Sequence, residues 1–371
     1  MEDDNYLNTP AHFFASALVV VFIWGSLWVG NFSVGIIKNS NNVGINPFSQ
    51  IANSSLFSSE VLITSSSTST IPTLSASTSL TTDSVFPDSS QFLTILIGGD
   101  LMLDRGVRLT AQKYGYDSLF ATVTPLFKQA DIVVANLEGP ITSNKSKTVL
   151  ANGKTGKELI FTFDPKSTQA IASSGISVLS LANNHTSNFG NSGLIETKKW
   201  LKQYGLQWFG DPNNASSSEL IVSKNGMDIA FVGYHAFSKG FDGVVEQVKR
   251  LSDQGNFVIV MPHWGEEYVR SPSALLRSQA RTLVSAGAKA IVGAHPHVIL
   301  ERSWMGDVPV MYSLGNLLFD QHFSPEVMKG NILELKLVKN LDKVSIEKVR
   351  LYETSIASRR GIDVNMQPVD F

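Results

Sequence analysis

The chain has 371 residues, 43% hydrophobic and 17% charged, with 30 Lys and Arg against 32 Asp and Glu. That suffices for one large core or two smaller ones, and a formal net charge of −2 with no long basic run argues against a nucleic-acid partner. Cysteine is absent, which excludes disulfides, thiolate metal sites and cysteine nucleophiles.

The first element is an apolar run. No Asp, Glu, Lys or Arg occurs from Asn5 to Ile37, and Phe13–Val29 is almost wholly apolar, with Trp24 and Trp28 near its end. A membrane span needs about 20 apolar residues, and a run apolar all round is not the amphipathic helix of a soluble core. With no basic n-region and no small-x-small cleavage pattern, residues 1–37 are expected to be an uncleaved membrane anchor. Residues 38–90 follow as a flexible linker. From Ser54 to Thr82, 18 of 29 residues are Ser or Thr and Glu60 is the one charge, too little apolar surface to fold. Such a stalk favours a single-pass protein of the cell membrane with its folded part extracellular.

From Gln91 onward, strand-like and helix-like patterns alternate. Strands are expected at Phe92–Ile97, Ile132–Ala135 and Val178–Leu181, and helices at Ser118–Gln129, Ser167–Ser174 and Gly193–Tyr204. Glu219–Val222 and Asp228–Gly233 form a hairpin around Asn225-Gly226. Helix Val244–Asp253, strand Phe257–Met261, helix Ala274–Ala286 and strand Ala290–Val292 come next. Val308–Ser313, Asn331–Val338 and Lys343–Tyr352 then read as strands with no helix between them. The pattern is an α/β sandwich over 91–353: parallel strands with helices outside and antiparallel strands added late. Asn144–Lys157 is a long loop near the second motif described below, and 354–371 reads as a polar, mobile tail.

Five polar motifs sit where apolar runs end: Gly98-Gly99-Asp100, Asn136-Leu137-Glu138, Ala182-Asn183-Asn184-His185, Pro262-His263-Trp264-Gly265 and Gly293-Ala294-His295-Pro296-His297. The carboxyl ends of strands in an open α/β sheet line one crevice, so the motifs are expected to converge. They bring two carboxylates, an amide oxygen and four imidazoles, the donors of a divalent metal such as Mn, Zn or Fe. Alone, a strand-end Asp caps a turn and a lone His is ordinary packing; here their company favours a site. Residues i and i+2 of an extended segment point the same way, which would face His295 and His297 to one centre.

Asn183-Asn184-His185-Thr186 is at its plainest an Asx turn; on the functional reading Asn184 is a neutral oxygen ligand and His185 a proton donor that does not bind the metal. Arg105 offers a guanidinium fork to a phosphate or carboxylate. Glu266 and Glu267 follow the His263 turn, and Asn316 closes the rim with Asp320. Substrate contacts are thus expected from Arg105, Asn136, Glu267 and Asn316. His12 and His322 stand alone and read as ordinary, and His235, after a strand, is left open.

These motifs, with His263-Trp264-Gly265-Glu266-Glu267-Tyr268 and Tyr312-Ser313-Leu314-Gly315-Asn316-Leu317-Leu318-Phe319-Asp320, resemble the CapA (PgsA-like) proteins of poly-γ-glutamate capsule synthesis, which look like calcineurin-type metallophosphoesterases. The matching strings run over Phe92–Asp320 in the family's order, and a membrane anchor is usual in it. The resemblance implies a four-layer α-β-β-α sandwich with a metal centre between its loops. One metal position is then built from Asp100, Glu138 and His297, the other from Glu138, Asn184, His263 and His295. Hydrolytic phosphoesterases carry a histidine where this chain has Met102, and a bridging aspartate where it has Glu138. The first position is therefore a ligand short, and one tight ion with a second, weak one is expected.

The expected function is a membrane-anchored, outward-facing protein of capsule or polyglutamate synthesis or export. Its hydrolase-like metal site would act on an anionic polymer or a phosphoester, with His185 and Arg105 as catalytic groups. A non-catalytic, polymer-binding subunit of a membrane-bound synthase is one alternative, favoured by Met102 and disfavoured by His185. A secreted metal-dependent phosphodiesterase or nucleotidase is another, and Met102 speaks against it.

Overall fold

The computed structural model of the chain describes residues 91–371 apart from 151, 215–218 and 239. The expected anchor (1–37) and linker (38–90) lie outside the described residues, and among the described residues no helix is long and apolar enough to cross a membrane.

The chain runs β1 (Gln91–Leu101), α1 (Arg105–Tyr114), α2 (Thr124–Phe127), β2 (Ile132–Leu137), α3 (Lys166–Ser174), β3 (Val178–Ser180), α4 (Gly190–Gln203), β4 (Gln207–Phe209) and β5 (Leu220–Lys224). There follow β6 (Met227–His235), α5 (Phe241–Asp253), β7 (Phe257–His263), α6 (Ala274–Ser285), β8 (Ala290–Val292), β9 (Arg302–Met305) and β10 (Val308–Met311). Strands β11 (Asn316–Leu318), β12 (Lys329–Asn340), β13 (Lys343–Ser355), β14 (Asp363–Val364) and β15 (Val369–Asp370) complete it.

One sheet is ordered β14-β13-β12-β1-β2-β3-β4, with β11 beside the end of β1 and β15 on β13; the other is β5-β6-β7-β8-β10-β9. β1 to β4 are parallel, as are β6, β7, β8 and β10. β12 and β13 add antiparallel. The hairpin forms as expected, with Asn225 and Gly226 both left-handed.

Period-two alternation builds the layers. On β2, Val133, Ala135 and Leu137 pack in a core with residues of α1, α2, α3 and α4, while Ile132 and Val134 face the second sheet. On β7, Phe257, Ile259 and Met261 fill the space between the sheets, and Val258 and Val260 pack in a core with residues of α5 and α6. Helices, sheet, sheet and helices follow one another, each interface with its own apolar core.

Some details depart from the sequence reading. The helix expected at Ser118–Gln129 breaks into a 3-10 turn, Tyr116–Phe120, and the four-residue α2, because Pro125 has no N–H to bond back and starts a new helix. The tail expected beyond 353 returns to the fold. Ile356 and Ile362 are buried in the helix-side core, and β14 and β15 both pair with β13. Two buried isoleucines and an edge strand with free backbone groups are reason enough to order it.

The end of β1 matters most for the site. β12 accompanies β1 only to Gly98, and β11 then takes over in parallel at Asp100. A Cβ on Gly99 would lie 1.9 Å from the Gly315 carbonyl oxygen, so only glycine admits this exchange. The Asp100 N–H donates to that same oxygen at 3.1 Å. Asp100 is thereby carried to the carboxyl edge of the sheet.

Candidate metal centre

The carboxyl ends of both sheets meet in one crevice and deliver the five motifs to it. β1 carries Asp100 next to its last residue, β2 carries Asn136 and leads to Glu138, and β3 leads to Asn183, Asn184 and His185. β7 ends at His263, which bridges to Ala294 in the segment after β8 that carries His295 and His297.

Two groups of donor atoms share Glu138. Glu138, His263 and His295 form one, Asp100, Glu138 and His297 the other, and within each group the donor atoms all lie within 4.8 Å of one another. His263 Nε2 is 2.9 Å from Asn184 Oδ1 and 3.1 Å from His295 Nδ1. Donors at about 2.1 Å from one ion and at right angles to each other stand ~3.0 Å apart, so His263 Nε2 has the spacing of a neighbouring ligand to each of the other two atoms. In the other group His297 Nδ1 lies 3.3 Å from Asp100 Oδ2, and His297 Nε2 lies 3.6 Å from Glu138 Oε1.

Glu138 carries the fit. It is wholly buried, and neither carboxylate oxygen has a hydrogen-bond partner. A buried carboxylate left so is costly. Burial, the neighbouring Asp100 carboxylate and then Glu267 push its pKa well above the ordinary value. Burial also presses the imidazoles toward their neutral, metal-binding form: His263 is lowered strongly and His295 to about 4, in each case against the opposing pull of Asp100. Burial would raise Asp100 too, but a hydrogen bond and charge from His297, the charge of His263 and the Asn136 amide bring it to about 2. Two carboxylates, one of them unsatisfied, and neutral imidazoles form a donor set that fits a divalent ion.

Asn136 and Asn316, expected at the substrate, lie beneath the donors; each is 1% exposed. The Asn136 amide donates to Asp100 Oδ1 at 2.8 Å, faces His263 Nδ1 at 3.2 Å, and accepts from Asn183 Nδ2 at 3.0 Å. The Asn316 amide nitrogen lies within 3.4 Å of His297 O, Gln321 Oε1 and Val327 O, which turns its oxygen to His297 Nδ1 at 3.0 Å. His297 Nδ1 is then the donor, and its Nε2 lone pair faces Glu138.

One correction concerns the histidine pair. His295 and His297 are not extended: φ is 97° and 58°, and Arg105 and Tyr268 beside the site are left-handed as well. Such backbone costs energy and clusters at functional sites. The His295 N–H donates to Asp100 Oδ2 at 3.1 Å, one interaction that holds this turn.

His185 is mostly buried beside the donors, its ring 4.3 Å from that of Phe161. Asn183 Oδ1 accepts the N–H groups of His185 and Thr186, so the Asx turn is present and is what positions His185. His185 Nδ1 lies 3.0 Å from Asn188 Oδ1, which also accepts the Phe161 N–H at 2.8 Å; the amide presents its oxygen, so Nδ1 donates. Burial lowers its pKa. Arg105 is 23% exposed and ion-paired through Nε with Asp320 at 3.2 Å. Glu267 is exposed at the rim. His235 stands in register with His263 on the adjacent strand, its Nε2 buried and unpartnered. Met102 is wholly buried, and its sulfur accepts the Asp104 N–H at 3.0 Å, so it bends back on its own chain.

Sequence reasoning missed Asn188, Phe161 and Phe237, whose ring lies 4.5 Å from that of His295. Only Asn188, three residues after His185 in a polar turn, carried a local signal.

The Bacterial capsule synthesis protein PGA_cap family model matches residues 94–321. Capsule biosynthesis protein CapA of Bacillus anthracis is 33% identical over 250 residues, 62% of this chain and 60% of that protein, so the match leaves a good part of the relative's length uncovered. PGA biosynthesis protein CapA of Bacillus subtilis (strain 168) is 31% identical over 68% of this chain and 70% of that one. A solved structure, the calcineurin-like phosphoesterase YfkN from Bacillus subtilis, aligns with a TM-score of 0.43 at 16% identity, over 72% of this chain and 92% of that chain. On the extent of the family match and the second relative, the chain belongs to the bacterial capsule synthesis protein PGA_cap family.

Proposed function

We propose that the protein is a membrane-anchored, outward-facing member of its family that acts in synthesis or export of a capsular polyglutamate, through a metal-dependent hydrolase-like site. The observation that carries the reading is Glu138, a buried carboxylate with both oxygens unpartnered between two groups of imidazole and carboxylate donors. Asn184, His263 and His295 with Glu138 would hold one ion tightly; Asp100 and His297 with Glu138 would hold a second weakly. Such an ion supplies Lewis acidity at a phosphoryl or carbonyl oxygen and makes water a better nucleophile at neutral pH.

The rest falls to the chain itself. Arg105 offers its guanidinium nitrogens to an anionic group while Asp320 holds Nε. With Nδ1 tied to Asn188, His185 exchanges a proton at Nε2 with the leaving group. Phe161 fixes the plane of that ring, and Asn136 and Asn316 hold the donor imidazoles in place. Glu267, a carboxylate at the rim, meets a substrate through that substrate's own N–H or O–H groups.

A second reading, a non-catalytic polymer-binding subunit of a membrane synthase, is favoured by one observation: Met102 is turned away where a further ligand is expected. Metal analysis of the full chain, with turnover assays on phosphoesters and γ-glutamyl peptides before and after chelation, decides between them. Turnover that chelation abolishes supports the hydrolase; bound metal with no turnover on either class supports the subunit; no bound metal sinks the metal centre.

A further inference from the structure

Next to the metal centre lies a cavity of about 230 Å³ lined by Gly106, Thr110, Thr155, Asp320, His322 and Arg359, among others. We propose that this cavity, walled by α1, Thr155 and the C-terminal segment 356–361, binds successive carboxylates of an extended anionic chain whose reacting unit sits at the metal centre. The inference rests on the polymer reading of the site and adds a binding surface to it.

Continuity is the first argument. Phe319 lines the cavity and its ring lies 4.8 Å from that of His297, so cavity and metal centre share a wall, and the next residue, Asp320, accepts the Gly106 N–H at 3.0 Å and pairs with Arg105. Charge is the second. Thr155, on the cavity wall, is close in sequence to Lys154 and Lys157, and a bridge to Val149 ties its arm of the loop to the arm carrying Lys145 and Lys147. All four lysines are exposed, and no Asp or Glu occurs from 143 to 157. Across the cavity, Arg359 and Arg360 are exposed on the segment that Ile356 and Ile362 pin to the core.

Among the described residues none of these six cations forms an ion pair. Lys147 lies over the Phe189 ring and Arg360 over that of Tyr114, contacts that steady the side chains without neutralising them. Exposed cations without an ion pair occur elsewhere too, Lys128, Lys202 and Lys343 among them, but here six stand on two segments beside one cavity. Together they attract a polyanion and leave a single acidic group, already paired, on the cavity wall.

The test uses the full chain and two labelled probes, a γ-linked glutamyl dimer and decamer, in equilibrium binding at low and at physiological salt. The decamer is expected to bind about tenfold or more tightly than the dimer, with a gap that narrows as salt rises. The exposed triple variant Lys154→Glu, Lys157→Glu, Arg359→Glu should close the gap, with metal content and melting temperature unchanged. Equal affinity for the two probes, no binding of the decamer, or a gap that survives the triple variant overturns the proposal. Tighter binding of an inorganic polyphosphate of matched charge overturns the carboxylate assignment. Length-dependent binding by a chain that holds no metal would keep this surface and sink the hydrolase reading; turnover without length dependence would do the reverse.

Discussion

On one side of Glu138 stand Asn184, His263 and His295, with His263 Nε2 about 3 Å from a donor atom of each of the other two, and with two imidazoles that burial keeps neutral. On the other stand Asp100 and His297, which already satisfy each other: Asp100 takes contacts from Asn136, His295 N–H and His297, and His297 Nδ1 is shared with Asn316. The first side has internal contacts too, His263 Nε2 with Asn184 and with His295, but they join an amide and neutral imidazoles. The second has settled much of its charge internally, and Met102 adds nothing to it. Two half-sites built from equally plain motifs thus differ in charge, imidazoles kept neutral by burial on one and a carboxylate held ionised by its neighbours on the other, which depends on the supports beneath them.

The largest effect is expected where the sides meet. Glu138→Gln should abolish binding of both ions, measured as metal content after dialysis, since it removes the shared anionic donor. It should also leave the metal-free protein at least as stable, because a neutral amide replaces a carboxyl that burial penalises. Retention of one ion in this variant would mean that the two sides are independent.

His185 belongs to neither side and tests whether binding and chemistry separate. If the protein turns over substrate, His185→Asn should lower the rate by ~10²–10⁴-fold, the worth of a positioned general acid, with metal content intact. A lower melting temperature with unchanged specific activity would assign His185 to packing against Phe161.

The comparison itself is put to the test by His263→Ala and Asp100→Asn. The first should weaken the tight ion by about 100-fold or more; the second should weaken it about tenfold or less, acting only through the His295 N–H and Asn136. Equal losses in calorimetric titrations would erase the distinction between the sides.

The long periodic elements were legible in the sequence, and so was the convergence of five strand-end motifs, because alternation fixes faces and parallel strands share a carboxyl edge. What lay in depth or in dihedral angles was not. β4, β9 and β11 are three or four residues long, too short to show a period. Nothing in the composition places Asn136 and Asn316 under the donors rather than before the substrate. His295 and His297 share a centre through left-handed turns, not through extended spacing. The tail reads as polar, while two isoleucines and the edge of β13 decide its place.

The smallest expected effect is on stability against pH, and it separates the sides by their titration. His295 falls from an ordinary 6.5 to about 4 in the fold, and His263 is lowered as well. Above 6.5 both folded and unfolded chains carry neutral imidazoles, and stability is complete. Between 6.5 and about 4 the unfolded chain takes up protons that the fold refuses, so stability drains away as pH falls, by up to ~3 kcal/mol for a group displaced this far. Asp100, at about 2 against 3.8, loses its share only below that window. Glu138 has the opposite sign. Its raised pKa gives stability that is present below 4.5 and lost as pH rises through the folded value, so it offsets the imidazoles in the same window. In metal-free Glu138→Gln that offset is gone, and denaturant titrations at pH 7, 5.5 and 4.5 should show stability dropping step by step. Wild type should drop less over the same range. A flat profile in the variant would mean that the imidazole side is open to water and protonates freely, and the contrast with the Asp100 side would not hold.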